Sequence, residues 1–257
     1  MRENHVKRAL QAGQVQIGTW IHTFGLPNVA RVLATAGFDY VTIDMEHSAF
    51  SIQTVGEICL AARDAGMMPM VRAAGKDQHL ISRPVDNGAT AVLIPHVDTR
   101  EQAENAVRAV KFPPRGIRGS QPPNPQSDFA AVNASDYMAK SNEETMVLVQ
   151  IESEESLANL DAILGVPGVD GVTIGRGDLS AELGITTGRD HPTLLQAVTD
   201  VIAGCQRSGK IPGLLVQDPE EAKEWIAKGV RMVTYAGDST ILRNASAAAL
   251  KEIRSVL

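Results

Sequence analysis

The chain has 257 residues, 44% of them hydrophobic, and a formal net charge of -6. That is enough apolar material for one large core, and the mild acidity without any basic stripe argues against a nucleic-acid partner. Two cysteines without a CxxC pair, and no apolar run near the ~18 residues of a membrane span, leave no expectation of a disulfide framework, a zinc site or a membrane anchor.

The N-terminal stretch MRENHVKRALQAG is polar and amphipathic and lacks a signal-peptide core, so a cytoplasmic setting is expected. From there two textures alternate. Eight short apolar or β-branched runs occur: VQIGTWIHT, FDYVTIDMEH, MMPMVRAAG, ATAVLIPHVD, TMVLVQIES, VDGVTIGRGD, KIPGLLVQD and VRMVTYAGD. Stretches with helical spacing separate them, several closing on a glycine such as Gly66 or Gly209 that can adopt the left-handed cap. Strict alternation implies a parallel sheet covered on both faces. Eight such units in a chain of this length predict a single-domain (β/α)₈ TIM barrel over residues 1–257. A doubly wound open sheet is the rival, but no glycine-rich dinucleotide fingerprint follows the first strand. Residues 113–144 interrupt the rhythm as a long Pro-rich insertion between the fourth and fifth strands, expected near the active-site face because long loops in tight domains are usually functional.

In a barrel the C-terminal strand ends build the site. Strand two ends in Asp44, Glu46 and His47, strand three in Arg72, strand five in Gln150 and Glu152, and strand six in Gly175, Arg176, Gly177 and Asp178. His47 precedes Arg72 by 25 positions and Glu152 precedes Asp178 by 26, one βα unit each, so both pairs come from neighbouring strands. Glu152 and Asp178 together would repel unless they share a divalent cation such as Mg²⁺ or Mn²⁺; the alternative is a local ion pair for each, or an N-cap for Asp178. Arg72 after an apolar strand either meets an anionic ligand or pairs with Asp44 or Glu46. His47 is the natural proton carrier near neutral pH. His22 and His96 also end strands and can line the mouth.

These residues, with GTW, AGFDYVTIDMEH, DNGATAVLIPHV, PPRGIRG, VLVQIES and GVDGVTIGRGDLSAELG in order, resemble the HpcH/HpaI family of metal-dependent (class II) pyruvate aldolases over nearly the whole chain. The resemblance implies reversible cleavage of a 4-hydroxy-2-oxo acid to pyruvate and an aldehyde. It implies His47 as the base, Asp86 as the acid that raises its basicity, and Arg72 as stabiliser of the enolate. Glu152 and Asp178 become ligands of Mg²⁺, Mn²⁺ or Co²⁺, Gln150 and Gly177 holders of the pyruvate part, and Leu215 an apolar contact of the aldehyde part. Asp86 enters on the resemblance alone. A homohexamer acting on a small oxo acid is also implied, with the last helix often packed on a neighbouring subunit.

Two stretches depart from the family pattern. GRGDLS stands where the family commonly has GPADLS, which adds Arg176 beside a metal ligand, and a Pro-rich SQPPNPQSDF replaces a basic segment. An altered acceptor half leaves open a relative that joins an oxaloacetate or pyruvate enolate to an acyl-CoA, as a citrate synthase-like member does in siderophore synthesis. A non-catalytic metabolite-binding barrel is the reading from another class, and the intact set of ligands, base and arginine argues against it.

Overall fold

The computed structural model describes residues 2–186 and 188–257. The eight runs form β1 (Gln16–Ile21), β2 (Tyr40–Asp44), β3 (Met68–Arg72), β4 (Ala91–Ile94), β5 (Met146–Ile151), β6 (Gly171–Ile174), β7 (Ile211–Val216) and β8 (Met232–Gly237). They pair in parallel, each with the next, and β8 returns to β1, so the sheet closes into a barrel. The helices are α1 (His5–Gln11), α2 (Pro27–Thr35), α3 (Ile52–Asp64), α4 (Gln78–Asp86), α5 (Arg100–Val110), α6 (Ala134–Glu144), α7 (Glu154–Ala158), α8 (Leu160–Leu164), α9 (Arg176–Glu182), α10 (Pro192–Ser208), α11 (Pro219–Ala227) and α12 (Asp238–Arg254). The (β/α)₈ expectation and the eight strands therefore hold, and no open-sheet edge forms.

Two apolar shells explain why strands read as unbroken hydrophobic runs. Outward residues such as Val92, Val147, Val149 and Val172 pack under the helices, while Met68, Met70, Leu93, Met146, Leu148 and Met232 fill the interior. Within that interior Tyr40 is fully buried and its hydroxyl bonds Thr234 Oγ1 across the barrel at 2.8 Å. Gly18 makes room for the ring, since a Cβ there would strike it. Helix α1 stoppers the N-terminal end: Val6 and Leu10 join the interior cluster, and Asn4 Nδ2 donates to the carbonyls of Thr90 and Glu144 at 3.2 and 3.0 Å. With that end closed, a ligand enters from the C-terminal mouth. Cys59 and Cys205 are free and buried in helices, and burial pushes both thiols up to about 12, which suits packing and not reactivity.

The 113–144 segment departs from expectation. It follows α5 and precedes β5, so it lies at the N-terminal end of the barrel, away from the mouth. Gln126 Nε2 bonds Thr145 Oγ1 just before β5 at 3.1 Å, and Arg63 at the end of α3 donates to the Pro125 carbonyl at 2.6 Å. The segment also carries α6, with Asn133 as its N-cap. Its position after a helix and before a strand decides which end it occupies.

Candidate active site

The mouth is a cleft of about 440 Å³, lined among others by Trp20, His22, Asp44, His47, Arg72, Gln150, Gly177, Asp178 and Leu215. Strand register brings the first group together. Asp44 and Arg72 are direct partners across β2 and β3. Arg72 Nε and Nη2 donate to the two Asp44 oxygens at 2.8 and 2.7 Å, and Nη1 lies 2.8 Å from Glu46 Oε2. Its guanidinium carbon also stands 4.4 Å from the centroid of the Trp20 ring. Arg72 thus does pair with Asp44 and Glu46. Three contacts leave one N–H on each Nη nitrogen uncommitted, and the residue lines the cleft. The ion pair serves as a mount that fixes a planar donor at the site.

Glu46 continues the network. Its Oε1 lies 3.0 Å from His96 Nε2, and its Oε2 lies 3.8 Å from the exposed His47 Nε2. His96 Nδ1 stands 3.2 Å from Glu152 Oε1, and the His96 backbone N–H donates to the same oxygen at 2.7 Å. His96 has a φ of 53°, a left-handed backbone uncommon for a side chain of this size, held where β4 opens into the mouth. Only its place at the end of PHV hinted at this bridge between two acids.

Glu152 sits just behind the cleft wall, 2% exposed, and accepts from Gln150 Nε2. Burial raises its carboxyl to about 7; the His96 N–H and ring oppose the rise, and the nearby charges of Asp178 and Glu46 add to it. Asp178 lies in the first turn of α9, reached directly from β6 through Gly175. A Cβ at Gly175 would collide with Glu152 Oε2 and the Gln150 amide, so glycine is required for the carboxylate to approach this strand end. Gly177, in the same first turn, is exposed on the cleft.

The residues fit a hard divalent cation. Two carboxylates from adjoining strand ends suit Mg²⁺ or Mn²⁺, which keep open positions for substrate oxygens and water. The buried Gln150 Oε1 has no hydrogen-bond partner among the described residues, and Glu152 is a buried acid in need of positive charge. Among the described residues no three His, Cys, Asp or Glu side chains converge as a complete metal cage. Protein ligands plus an oxo-acid substrate therefore describe the donor set better than a closed structural site.

Asp86 stands apart from this group within the chain. It is the last residue of α4, and its Oδ1 accepts from Arg118 Nε and Nη2 at 3.0 and 2.7 Å. Barrel helices run antiparallel to their strands, so the end of a helix lies at the stoppered face while His47 lies at the mouth. The expected Asp86–His47 pairing is not made in this chain, and Glu46 is the carboxylate beside the histidine. Leu215 does line the cleft, and its carbonyl accepts from Arg176 Nη2 at 2.6 Å. Arg176 is buried, with Nη1 2.6 Å from Glu221 Oε1. Spacing gave no signal for Glu221, for Arg189 on the cleft wall, or for Asp238, whose Oδ1 lies 3.3 Å from His22 Nδ1.

Comparison with known proteins places this geometry. Residues 16–245 match the family model described as HpcH/HpaI aldolase/citrate lyase. The 4-hydroxy-2-oxo-heptane-1,7-dioate aldolase of Escherichia coli is 39% identical over 254 residues, 96% of this chain and 93% of that protein. Among solved structures, the HpcH/HpaI aldolase from Desulfitobacterium hafniense DCB-2 has a TM-score of 0.92 at 31% identity, covering 96% of both chains. The citrate synthase SbnG has a TM-score of 0.86 at 29% identity, covering 97% of both. With His47, Arg72, Glu152 and Asp178 at the strand ends of a barrel matched across nearly its whole length, the family model over residues 16–245 decides the assignment: the chain belongs to the HpcH/HpaI aldolase/citrate lyase family.

Proposed function

We propose that the protein is a metal-dependent carbon–carbon lyase that reversibly cleaves a 4-hydroxy-2-oxo acid to pyruvate and an aldehyde. The observation that carries this reading is the convergence of His47, Arg72, Gln150 and Asp178 on one cleft, with Glu152 directly behind it. Glu152 and Asp178 would hold Mg²⁺, Mn²⁺ or Co²⁺. When bound, the ion supplies Lewis acidity and positive charge against the oxo-acid head. Gln150 and the first turn of α9 at Gly177 orient that head. His47, exposed at the rim, accepts the proton of the C4 hydroxyl as the C3–C4 bond breaks and the aldehyde leaves. The bond's electron pair becomes the C2–C3 double bond of the enolate, and the free N–H groups of Arg72 hold the negative oxygen. Protonation at C3 then completes pyruvate. Among the described residues no lysine lines the cleft, which supports this route over a Schiff base.

Asp86, which the family resemblance gives as the acid behind the histidine, keeps that role only if another contact brings it to His47. The reading includes a homo-oligomer, a hexamer by resemblance, and a cytoplasmic setting. The exposed Leu242, Leu250 and Ile253 of α12 support association, and among the described residues no helix is long and apolar enough to cross a membrane. The likeness to citrate synthase SbnG favours one second reading, in which an enolate attacks an acyl-CoA. A panel of 4-hydroxy-2-oxo acids beside oxaloacetate with acetyl-CoA, each with Mg²⁺ or Mn²⁺, separates the two. Aldehyde release from the first set is expected; citrate from the second, without cleavage of any oxo acid, would reverse the assignment.

A further inference from the structure

The turn that leaves β4 is held more firmly than its place on the surface requires. His96, just past the end of β4, is exposed, yet its backbone sits at a φ of 53°. A left-handed residue of this size persists where its surroundings impose the conformation. Here three neighbours do. Lys76, from the loop after β3, donates to the His96 carbonyl at 2.7 Å. Ser153, next to Glu152, donates its hydroxyl to Asp98 Oδ1 at 2.5 Å, and Asn159 Nδ2 donates to the Asp98 carbonyl at 2.8 Å. The imidazole consequently stands between two carboxylates from other strand ends, with Nε2 3.0 Å from Glu46 Oε1 and Nδ1 3.2 Å from Glu152 Oε1.

That placement divides the two oxygens of Glu152. Oε1 is engaged twice by His96, from the backbone N–H at 2.7 Å and from the ring. Oε2 accepts from Gln150 Nε2 and lies against Gly175, where β6 gives way to the turn of α9 that carries Asp178. A carboxylate with one oxygen tied back offers a metal only the other. The position on the ion that a two-oxygen grip would fill stays open for an oxo-acid substrate or water. The second ring nitrogen serves the other half of the site: Glu46, whose Oε1 faces it, keeps Oε2 on Arg72 Nη1 at 2.8 Å. We propose that His96 is a positioning residue that holds Glu152 as a one-oxygen metal ligand and Glu46 as a brace for Arg72, so that a single ring aligns the metal half of the site with the half that binds the enolate oxygen. This inference rests on the aldolase reading above and adds to it the residue that aligns its two halves.

The test is Mn²⁺ affinity of the full-length protein by titration calorimetry, beside exchange of the pyruvate methyl protons in D₂O at saturating Mn²⁺. His96→Asn keeps the backbone N–H and a residue that tolerates the left-handed conformation, but its amide is too short to reach both acids. Mn²⁺ binding is expected to weaken by roughly 10–100-fold, as when the support of a metal ligand is removed. Exchange at saturating metal is expected to fall as well, because Arg72 loses its brace. A residue that only closed a loop would change the unfolding temperature and leave both readouts alone. Lys76→Met releases the carbonyl of the same turn from an exposed side chain; it should weaken Mn²⁺ binding in the same direction by less, and it decides the matter if His96→Asn does not fold. With wild type that exchanges pyruvate protons, an unchanged Mn²⁺ affinity in folded His96→Asn, or in Lys76→Met where the first variant does not fold, refutes this inference alone. Wild type that exchanges none with any divalent metal refutes the aldolase reading and this inference with it.

Discussion

Replacing Arg72 by lysine keeps the charge and removes the fork. In the native chain the guanidinium reaches both Asp44 oxygens at 2.8 and 2.7 Å, Glu46 at 2.8 Å, and the Trp20 face at 4.4 Å. One ammonium at the end of a flexible stem cannot span both acids and still aim a donor into the cleft. Two losses follow. A buried acid loses its partner, which costs about 1–3 kcal/mol of stability. The donor to the developing oxyanion is also lost, typically on the order of 3 kcal/mol, or about 10²-fold in kcat. Thermal unfolding and far-UV circular dichroism measure the first effect, and kcat for oxo-acid cleavage with saturating Mn²⁺ measures the second. A folded Arg72→Lys variant within a few-fold of wild type in kcat would show that Arg72 only neutralises Asp44 and Glu46.

His47→Ala should lose ~10²–10⁴-fold in cleavage rate while still binding Mn²⁺, checked by titration calorimetry beside kinetics; loss of the metal instead would make His47 a ligand. As a proposed metal ligand, Glu152 would link metal binding to pH. Folding raises its carboxyl from 4.5 to about 7, so its stabilising contribution to the metal-free chain is complete below 4.5 and fades as pH rises through about 7. Metal needs the ionised form, so Mn²⁺ affinity should climb with pH up to about 7, and binding near pH 6 should release a proton, read by calorimetry in two buffers; a flat profile would contradict the burial argument. Gly175→Ala places a methyl against Glu152 Oε2 and should weaken metal affinity by roughly 10–100-fold while the fold survives. Unchanged affinity would mean Glu152 is not held there for the metal.

The barrel was legible because burial writes itself along each element. AVLI of β4 and MVLVQI of β5 are buried at every position, which only a sheet covered on both faces permits, and their order in the chain is the order in the barrel. The strand-end rule likewise brought His47, Arg72, Gln150 and Asp178 to one cleft. Partners across the barrel were not legible. Glu221 lies 45 positions after Arg176, and no periodicity links an arginine opening one helix to a glutamate in another. His96 was visible as a strand-end residue, but its left-handed backbone and its bridge from Glu46 to Glu152 depend on three loops meeting. Asp86 came from likeness alone, and the antiparallel run of α4 places it with Arg118 at the other end. The proline-rich composition of 113–144 suggests a functional loop, whereas connectivity, after α5 and before β5, sets it at the N-terminal end of the barrel.

The central claim is that this cleft makes an enolate from an oxo acid with the help of a divalent metal and Arg72. The most direct measurement is loss of the pyruvate methyl signal by proton NMR in D₂O, with protein first stripped by chelator and then supplied with Mg²⁺, Mn²⁺ or Co²⁺. Exchange should be absent from the stripped protein, return with metal, and fall on the order of 10²-fold in Arg72→Lys. Exchange that persists after exhaustive chelation, or none with any of the three ions, would contradict it.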